Sequence, residues 1–350
     1  MNLNKHRMTG VLSALAMAAL ILDAKTALVC AKTSIELCIN VLIPSLFPFF
    51  IFSNILISAG TDNLRLSKPV CRFLRIPEGA ESILLVGFLG GYPAGAQAIA
   101  TASSAGTLNE KDGKRMMAFC CNAGPAFFFG IGMQIFNDLR LCIICWLVHI
   151  IGAIMVAMMT PGKPSTAKIS VKSSSITFTN ALQKAIRTMA TVCGWVILMK
   201  ILMGFFEHWL FWLLPTMLQN IFFGILEISS GCCSLIGSNN IGVCIILFSA
   251  YTAFGGMCVW LQTISVTENH VDISMYLPGK LTQTAISILL TELPHALQFN
   301  NTGGMLPIIV VAICAIWILI YALFFAKRKI GVEITQKIVY NQAKASGGVI

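Results

Sequence analysis

Apolar runs long enough to cross a bilayer as helices recur along the chain at 8–24, 38–60, 117–136, 140–159, 188–207, 240–265, 274–294 and 305–326. The pattern predicts an all-α integral membrane protein with about eight transmembrane helices. Two further apolar segments, 81–105 and 219–238, are interrupted in the middle, at Gly90-Gly91-Tyr92-Pro93 and at Ser229-Ser230-Gly231. Interrupted segments of this kind predict re-entrant helical hairpins. Residues 25–37 read as a short amphipathic interfacial helix with Lys25, Lys32 and Glu36 on its wet side.

Charge placement supports the hairpins. Arg65, Lys68, Arg72 and Arg75 precede segment 81–105, and Lys111, Lys114 and Arg115 follow it. Basic loops stay in the cytoplasm, so a segment with two basic flanks enters and returns on one side. Counting onward puts Lys163, Lys168, Lys172, Lys184, Arg187 and the run Lys327-Arg328-Lys329 inside, provided that 219–238 returns to the outer face. Both termini are then cytoplasmic. The order of elements repeats with opposite orientation, as in inverted-repeat transporters. The expected organisation is a first span plus interfacial helix (1–37), repeat 1 (38–160, hairpin 81–105), a cytoplasmic linker (161–187), repeat 2 (188–294, hairpin 219–238), a last span (295–326) and a cytoplasmic tail (327–350).

Composition narrows the classes. Only 11% of residues are charged and 57% are hydrophobic, which excludes an ordinary soluble domain. The net charge of +10 comes from short loops, so it reads as an orientation signal and not as a nucleic-acid surface. The 13 cysteines are odd in number and lie mostly in apolar runs, including the Cys142/Cys145 pair, so they read as small core residues and not as a metal site. Lys5 and Arg7 before the run 11–22 resemble a signal peptide, but Asp23-Ala24-Lys25 follows where a cleavage site would stand, and an uncleaved span is expected. No HExxH, paired-aspartate or serine–histidine arrangement is present, and His149, His208, His270 and His295 read as residues near span ends, so no catalysis is expected. No phosphate-binding GxxxxGK[ST] loop is present either, so energy for any transport would come from a gradient or a partner.

Broken segments are the places to look for a site, because irregular backbone at membrane depth survives only inside protein or along a wet cavity. The first hairpin offers Gly90, Gly91, Tyr92, Pro93, Gly95 and Gln97; the second offers Glu227, Ser229 and Ser230. Asn122 lies beside Gly124-Pro125 in the span after the first hairpin, and Gly255, Gly256 and Gln262 lie in the span after the second. Glycine or proline kinks that merely let helices approach are the alternative for these positions. Glu227 is an ionisable group in an apolar run and a candidate for proton or sodium coupling. Lys200 is the basic side chain read as lying well inside a span, as a snorkelling residue or as a counter-charge for Glu227 or for a carboxylate on the solute. No cofactor and no metal is expected.

Gly90-Gly91-Tyr92-Pro93-Ala94-Gly95-Ala96, Phe119-Cys120-Cys121-Asn122-Ala123-Gly124-Pro125, Leu226-Glu227-Ile228-Ser229-Ser230-Gly231 and Phe254-Gly255-Gly256 with Gln262 follow one another in this order. With the run from Pro44 to Phe49, they resemble the sporulation integral membrane protein YlbJ family, within the nucleoside-recognition Gate domain superfamily. The resemblance covers roughly 35–325. It implies a multi-pass protein of the bacterial cell membrane in an endospore former, with the outer forespore membrane as a candidate site. It also implies a carrier or facilitator of a small polar or anionic solute, a dipicolinate-like one favoured. Cys258-Val259-Trp260 departs from the more polar pattern expected of the family there, which leaves the solute open. A nucleoside carrier, or a non-transporting structural subunit of the sporulation machinery, are the alternatives. Expected partners are the solute, the bilayer, and either further copies of the chain or other sporulation membrane proteins.

Overall fold

The computed structural model describes residues 2–58, 68–162, 177–268, 270–297 and 310–323. Expectations for Arg65, for most of the 161–187 linker and for the 327–350 tail lie outside the described residues. All the described regular structure is helical.

Helix α1 (Asn2–Leu22) ends at Asp23, whose carboxylate caps α2 (Ala24–Leu37) by accepting from the Thr26 amide, and the chain bends there by 95°. A π-helical turn (Cys38–Leu42) carries α2 directly into α3 (Ile43–Ser58). The turn immediately precedes Pro44, whose ring would clash with the carbonyl four residues back in a regular helix. The segment expected as a separate interfacial helix is thus the first part of one long element, although Lys25, Lys32 and Glu36 do stand on its exposed side.

After the short α4 (Lys68–Leu74), helices α5 (Glu81–Leu89) and α6 (Ala94–Ser104) pack against each other as a hairpin. Then come α7 (Glu110–Met116), α8 (Pro125–Phe136), α9 (Leu139–Met159) and the long α10 (Phe178–Trp209). Helices α11 (Thr216–Leu226) and α12 (Ile228–Cys233) form a second hairpin. They lead to α13 (Ile241–Phe254), α14 (Gly256–Thr267), α15 (Tyr276–Leu297) and α16 (Val310–Leu323).

Among the described residues, three stretches are long and apolar enough to cross a membrane unaided: α9, α10 and the broken pair α13–α14; the bent pair across Asp23 would make a fourth. On α9 the physical division is plain. Ile143, Ile144, Leu147 and Ile151 are exposed, whereas Cys142, Cys145, His149 and Gly152 are buried. An aliphatic exterior around an interior of small and polar residues fits hydrocarbon as the solvent.

Side-chain contacts orient the elements. Thr26 meets His208 near one end of α10, and Asn54 donates to the Ala181 carbonyl at the other, so α2–α3 runs antiparallel to α10. In hairpin α5–α6, Gln97 accepts from Thr188 and Thr101 accepts from Lys184, which places its open base where α10 begins. In hairpin α11–α12, Gln219 donates to the carbonyls of Phe211 and Leu214, which places its base where α10 finishes. The two hairpins therefore enter the bundle from opposite ends. At the first hairpin's end, Arg115 gathers four carbonyls, those of Leu74, Arg75, Ala157 and Thr160, and so ties α4, α7 and α9 together.

Candidate functional site

Helical hydrogen bonding stops at four places inside the bundle: 90–93, 121–124, Glu227, and the junction Gly255-Gly256. Each break ends one helix and starts another, so carbonyls and amides of both kinds are left without helical partners there. Both junction glycines have φ +81°, a left-handed backbone that other residues rarely adopt.

The breaks meet in pairs. A Cβ on Gly124 would lie 2.9 Å from the Gly91 amide, and a Cβ on Gly256 would lie 3.2 Å from the Leu226 carbonyl. Each hairpin tip thus abuts the break that follows it in sequence. Tyr92 joins the two pairs: its hydroxyl donates towards the carbonyls of Thr252 and Ala253 at 3.2 and 3.3 Å, and its ring lies against Gly255.

Between the pairs is a partly open cleft. Gly91, Tyr92 and Gly124 form one wall, Glu227, Ile228 and Ser229 face them, and Gln262 and Val259 close a side. Leu42 and Leu46 with Val192 and Val196 supply an apolar floor from the π-helical turn, α3 and α10. Glu227 is 1% exposed. Its carboxylate caps α12, accepting from the Ser229 amide at 2.9 Å, the Ser230 amide at 2.7 Å and the Ser230 hydroxyl at 2.6 Å. No cation is needed to hold it, because the start of a helix favours negative charge.

Of the residues expected at a site, Gly91, Tyr92, Glu227, Ser229 and Gln262 line this one cleft. Gly90 and Pro93 complete the first tip, Ser230 serves the Glu227 carboxylate, and Gly255 and Gly256 shape the second junction without facing the cleft. Gly95 is a contact residue: a Cβ there would stand 1.9 Å from the Cys120 carbonyl oxygen. Gln97 lies deeper along α6 against Thr188. Asn122 is fully buried, donating to the Phe119 carbonyl at 2.7 Å and accepting from Gln283 at 3.1 Å. Lys200 is only half-buried and does not line the cleft; it lies near Cys30 and Cys233, towards the end of α10.

Two sequence expectations need correction. Among the described residues, the lysine locked deep inside a long apolar helix is Lys280, not Lys200. Lys280 is fully buried on α15, where it donates to the Cys121 carbonyl and to Gln283 Oε1, each at 2.5 Å, with its ammonium 5.0 Å from the Tyr92 ring centroid. The signal was present in the sequence: Lys280 and Gln283 fall on one helical face inside an apolar run. His149, in turn, sits at the middle of α9 and not near a span end. Its Nε2 accepts from the Ala123 amide at 3.2 Å, and its backbone carbonyl accepts from Gln283 at 3.0 Å. Lys280, Gln283, Asn122 and His149 thus form one buried polar network behind the first pair of breaks.

No protein-family model matches the chain, and no solved structure matches it. A stretch of 132 residues is 30% identical to the sporulation integral membrane protein YlbJ of Bacillus subtilis (strain 168), covering 37% of this chain and 32% of that protein. The shared stretch therefore spans about a third of the relative's length. The chain is an integral membrane protein with a distant sporulation relative.

Proposed function

We propose that this protein is a carrier or facilitator that moves a small polar or anionic solute across a bacterial membrane during spore formation, without chemical catalysis. One observation carries the reading: two hairpins entering from opposite ends bring their interrupted tips, 90–93 and Glu227, together with the break at 121–124, to one cleft, with the Gly255-Gly256 junction packed beside it. Broken helices around a midplane cavity are the usual way for membrane proteins to present backbone groups to a polar solute. Similarity to a sporulation membrane protein supports the setting.

In this reading the chain has about eight spans, and 38–160 and 188–294 are two Gate-like repeats of inverted orientation, with the basic loops in the cytoplasm. Glu227 faces the cleft and is the group through which a proton or sodium ion would be coupled to movement. Its carboxylate and the Gln262 amide also suit a nucleoside, whose hydroxyl and amine groups need acceptors.

Purified protein in sealed vesicles, offered labelled dipicolinate and labelled uridine separately, tests the proposal. Saturable uptake of either, absent from empty vesicles, is the expected result, and the preferred compound decides the solute class. Vesicles that take up neither under an inward or outward proton or sodium gradient would leave a structural role as the better account.

A further inference from the structure

Lys280 stands out because no acidic side chain among the described residues pairs with it. Burying a lone ammonium in a low-dielectric interior is costly without a partner of opposite charge. Glu227, across the cleft, is already committed to the amides at the start of α12. Among the described residues, Lys280 has two neutral acceptors and an aromatic face, and no ion pair.

The surroundings of Lys280 are rich in donors and poor in acceptors. Tyr276 lies one turn earlier on α15, and its hydroxyl is buried. The Thr263 hydroxyl, beside it, is buried too, and the two have only each other as partner. Thr263 follows Gln262, which lines the cleft and turns its amide nitrogen towards the Cys258 sulfur, a weak acceptor, at 3.3 Å. An ammonium without a counter-charge and a buried hydroxyl pair with no partner outside itself lie near one aromatic ring, and such a set of donors suits an acceptor-rich ligand.

That ring is Tyr92. It lines the cleft and has the Lys280 ammonium 5.0 Å from its centroid. Its hydroxyl is held by two long contacts, to the carbonyls of Thr252 and Ala253 just before the Gly255-Gly256 junction.

From this arrangement we infer that Lys280, with the hydroxyls of Tyr276 and Thr263, forms an anion subsite that opens to the cleft when the Tyr92 ring swings aside. The ligand it takes is a small anion, either a carboxylate of the solute or a free inorganic anion such as chloride. The inference rests on the cleft being the solute site, and it gives the solute's counter-charge to Lys280 and not to Lys200. The conformation described here is then the closed one, with the ring filling the place of the anion over the ammonium. A swing of one side chain, hinged at a hairpin tip, exposes a charge that otherwise never meets water.

Binding to the purified full-length protein in detergent tests this independently of any transport. Succinate and chloride, each added as its sodium salt against a sodium gluconate background of equal ionic strength, are titrated while intrinsic tryptophan fluorescence and the melting temperature are followed. Wild-type protein is expected to bind one of them saturably, and Lys280→Met to bind it at least tenfold more weakly, while Lys200→Met binds as wild type. Because Lys280→Met leaves the Cys121 carbonyl and Gln283 Oε1 without a donor and can fail to fold, the double variant Tyr276→Phe/Thr263→Val is measured alongside. It deletes both members of a hydroxyl pair that has no other partner in the fold and so strands no polar group, and the ligand-free melting temperature should hold while anion affinity falls several-fold. Tyr92→Ala, lacking the shutter, should bind more tightly than wild type. Succinate binding identifies a solute carboxylate, and chloride binding that succinate does not compete identifies an inorganic ion. Wild-type protein indifferent to both anions, or wild-type affinity in the double variant, would overturn the inference, whereas absent uptake in vesicles with intact binding would count against the transport reading alone.

Discussion

Replacing Glu227 by glutamine does more than remove a charge. The carboxylate holds three donors through its two oxygens, Oε1 from the Ser229 amide and Oε2 from the amide and hydroxyl of Ser230. Glutamine keeps one of those oxygens and puts a donor in place of the other. If the remaining oxygen stays with Ser230, the new NH2 group points at the Ser229 amide, two donors about one hydrogen-bond length apart. The side chain then swings away, and a buried amide loses its acceptor, which costs about 1–3 kcal/mol. Glu227→Asp keeps an acceptor of good capping type one methylene shorter, and its cost should stay under about 1 kcal/mol. The assay is heating of the detergent-solubilised variants, followed by the fraction that stays monodisperse, together with uptake in vesicles. Glu227→Gln should melt below Glu227→Asp, and Ser230→Ala added to Glu227→Gln should cost less than the sum of the two single changes, because both act on one cluster. Equal melting of wild type and Glu227→Gln, with additive effects in the double variant, would refute the capping role and leave Glu227 free to act purely as a coupling group.

Gly95→Ala would force a Cβ to within 1.9 Å of the Cys120 carbonyl, a backbone atom that cannot rotate away, so membrane expression of folded protein should collapse, whereas Gly130→Ala, with nothing within 4 Å, should accumulate normally. Arg115→Met strands four carbonyls at one end of the bundle and should destabilise by at least about 3 kcal/mol, read as loss of heat resistance in detergent. In the loop before α15, hydrogen bonds from Lys114 and Ser274 lower the Asp272 carboxyl from 3.8 to about 2. A lowered folded-state value means that this stabilisation is present above about pH 4 and is lost as pH falls towards 2, so Asp272→Asn should flatten acid sensitivity in that window while changing neutral stability by less than about 1 kcal/mol for so exposed a pair. Single cysteines near Lys68 and Lys111, in a cysteine-depleted background, should both be labelled from the cytoplasm only; labelling of either from outside would turn hairpin α5–α6 into a span.

Much of the site was legible in the chain because the solvent is so restrictive. Hydrocarbon tolerates few polar or helix-breaking residues, so each one that occurs in an apolar run carries information, and Gly90-Gly91-Tyr92-Pro93, Asn122, Glu227 and Gly255-Gly256 could be picked out one by one. Apolar patterning likewise sufficed for an all-helical membrane protein. Sequence spacing says nothing, however, about which breaks meet. Only the tertiary structure set Gly91 against Gly124 and Gly256 against Leu226, and only it put Tyr92 between them. The same limit explains Lys200 and Lys280. Both are lysines within apolar helices, but a lysine's long stem allows its charge to reach an edge or to be locked inside, and the choice depends on neighbours distant in sequence. For Lys280 those neighbours are Cys121 and Tyr92, more than a hundred residues away along the chain, on the break at 121–124 and on the first hairpin tip.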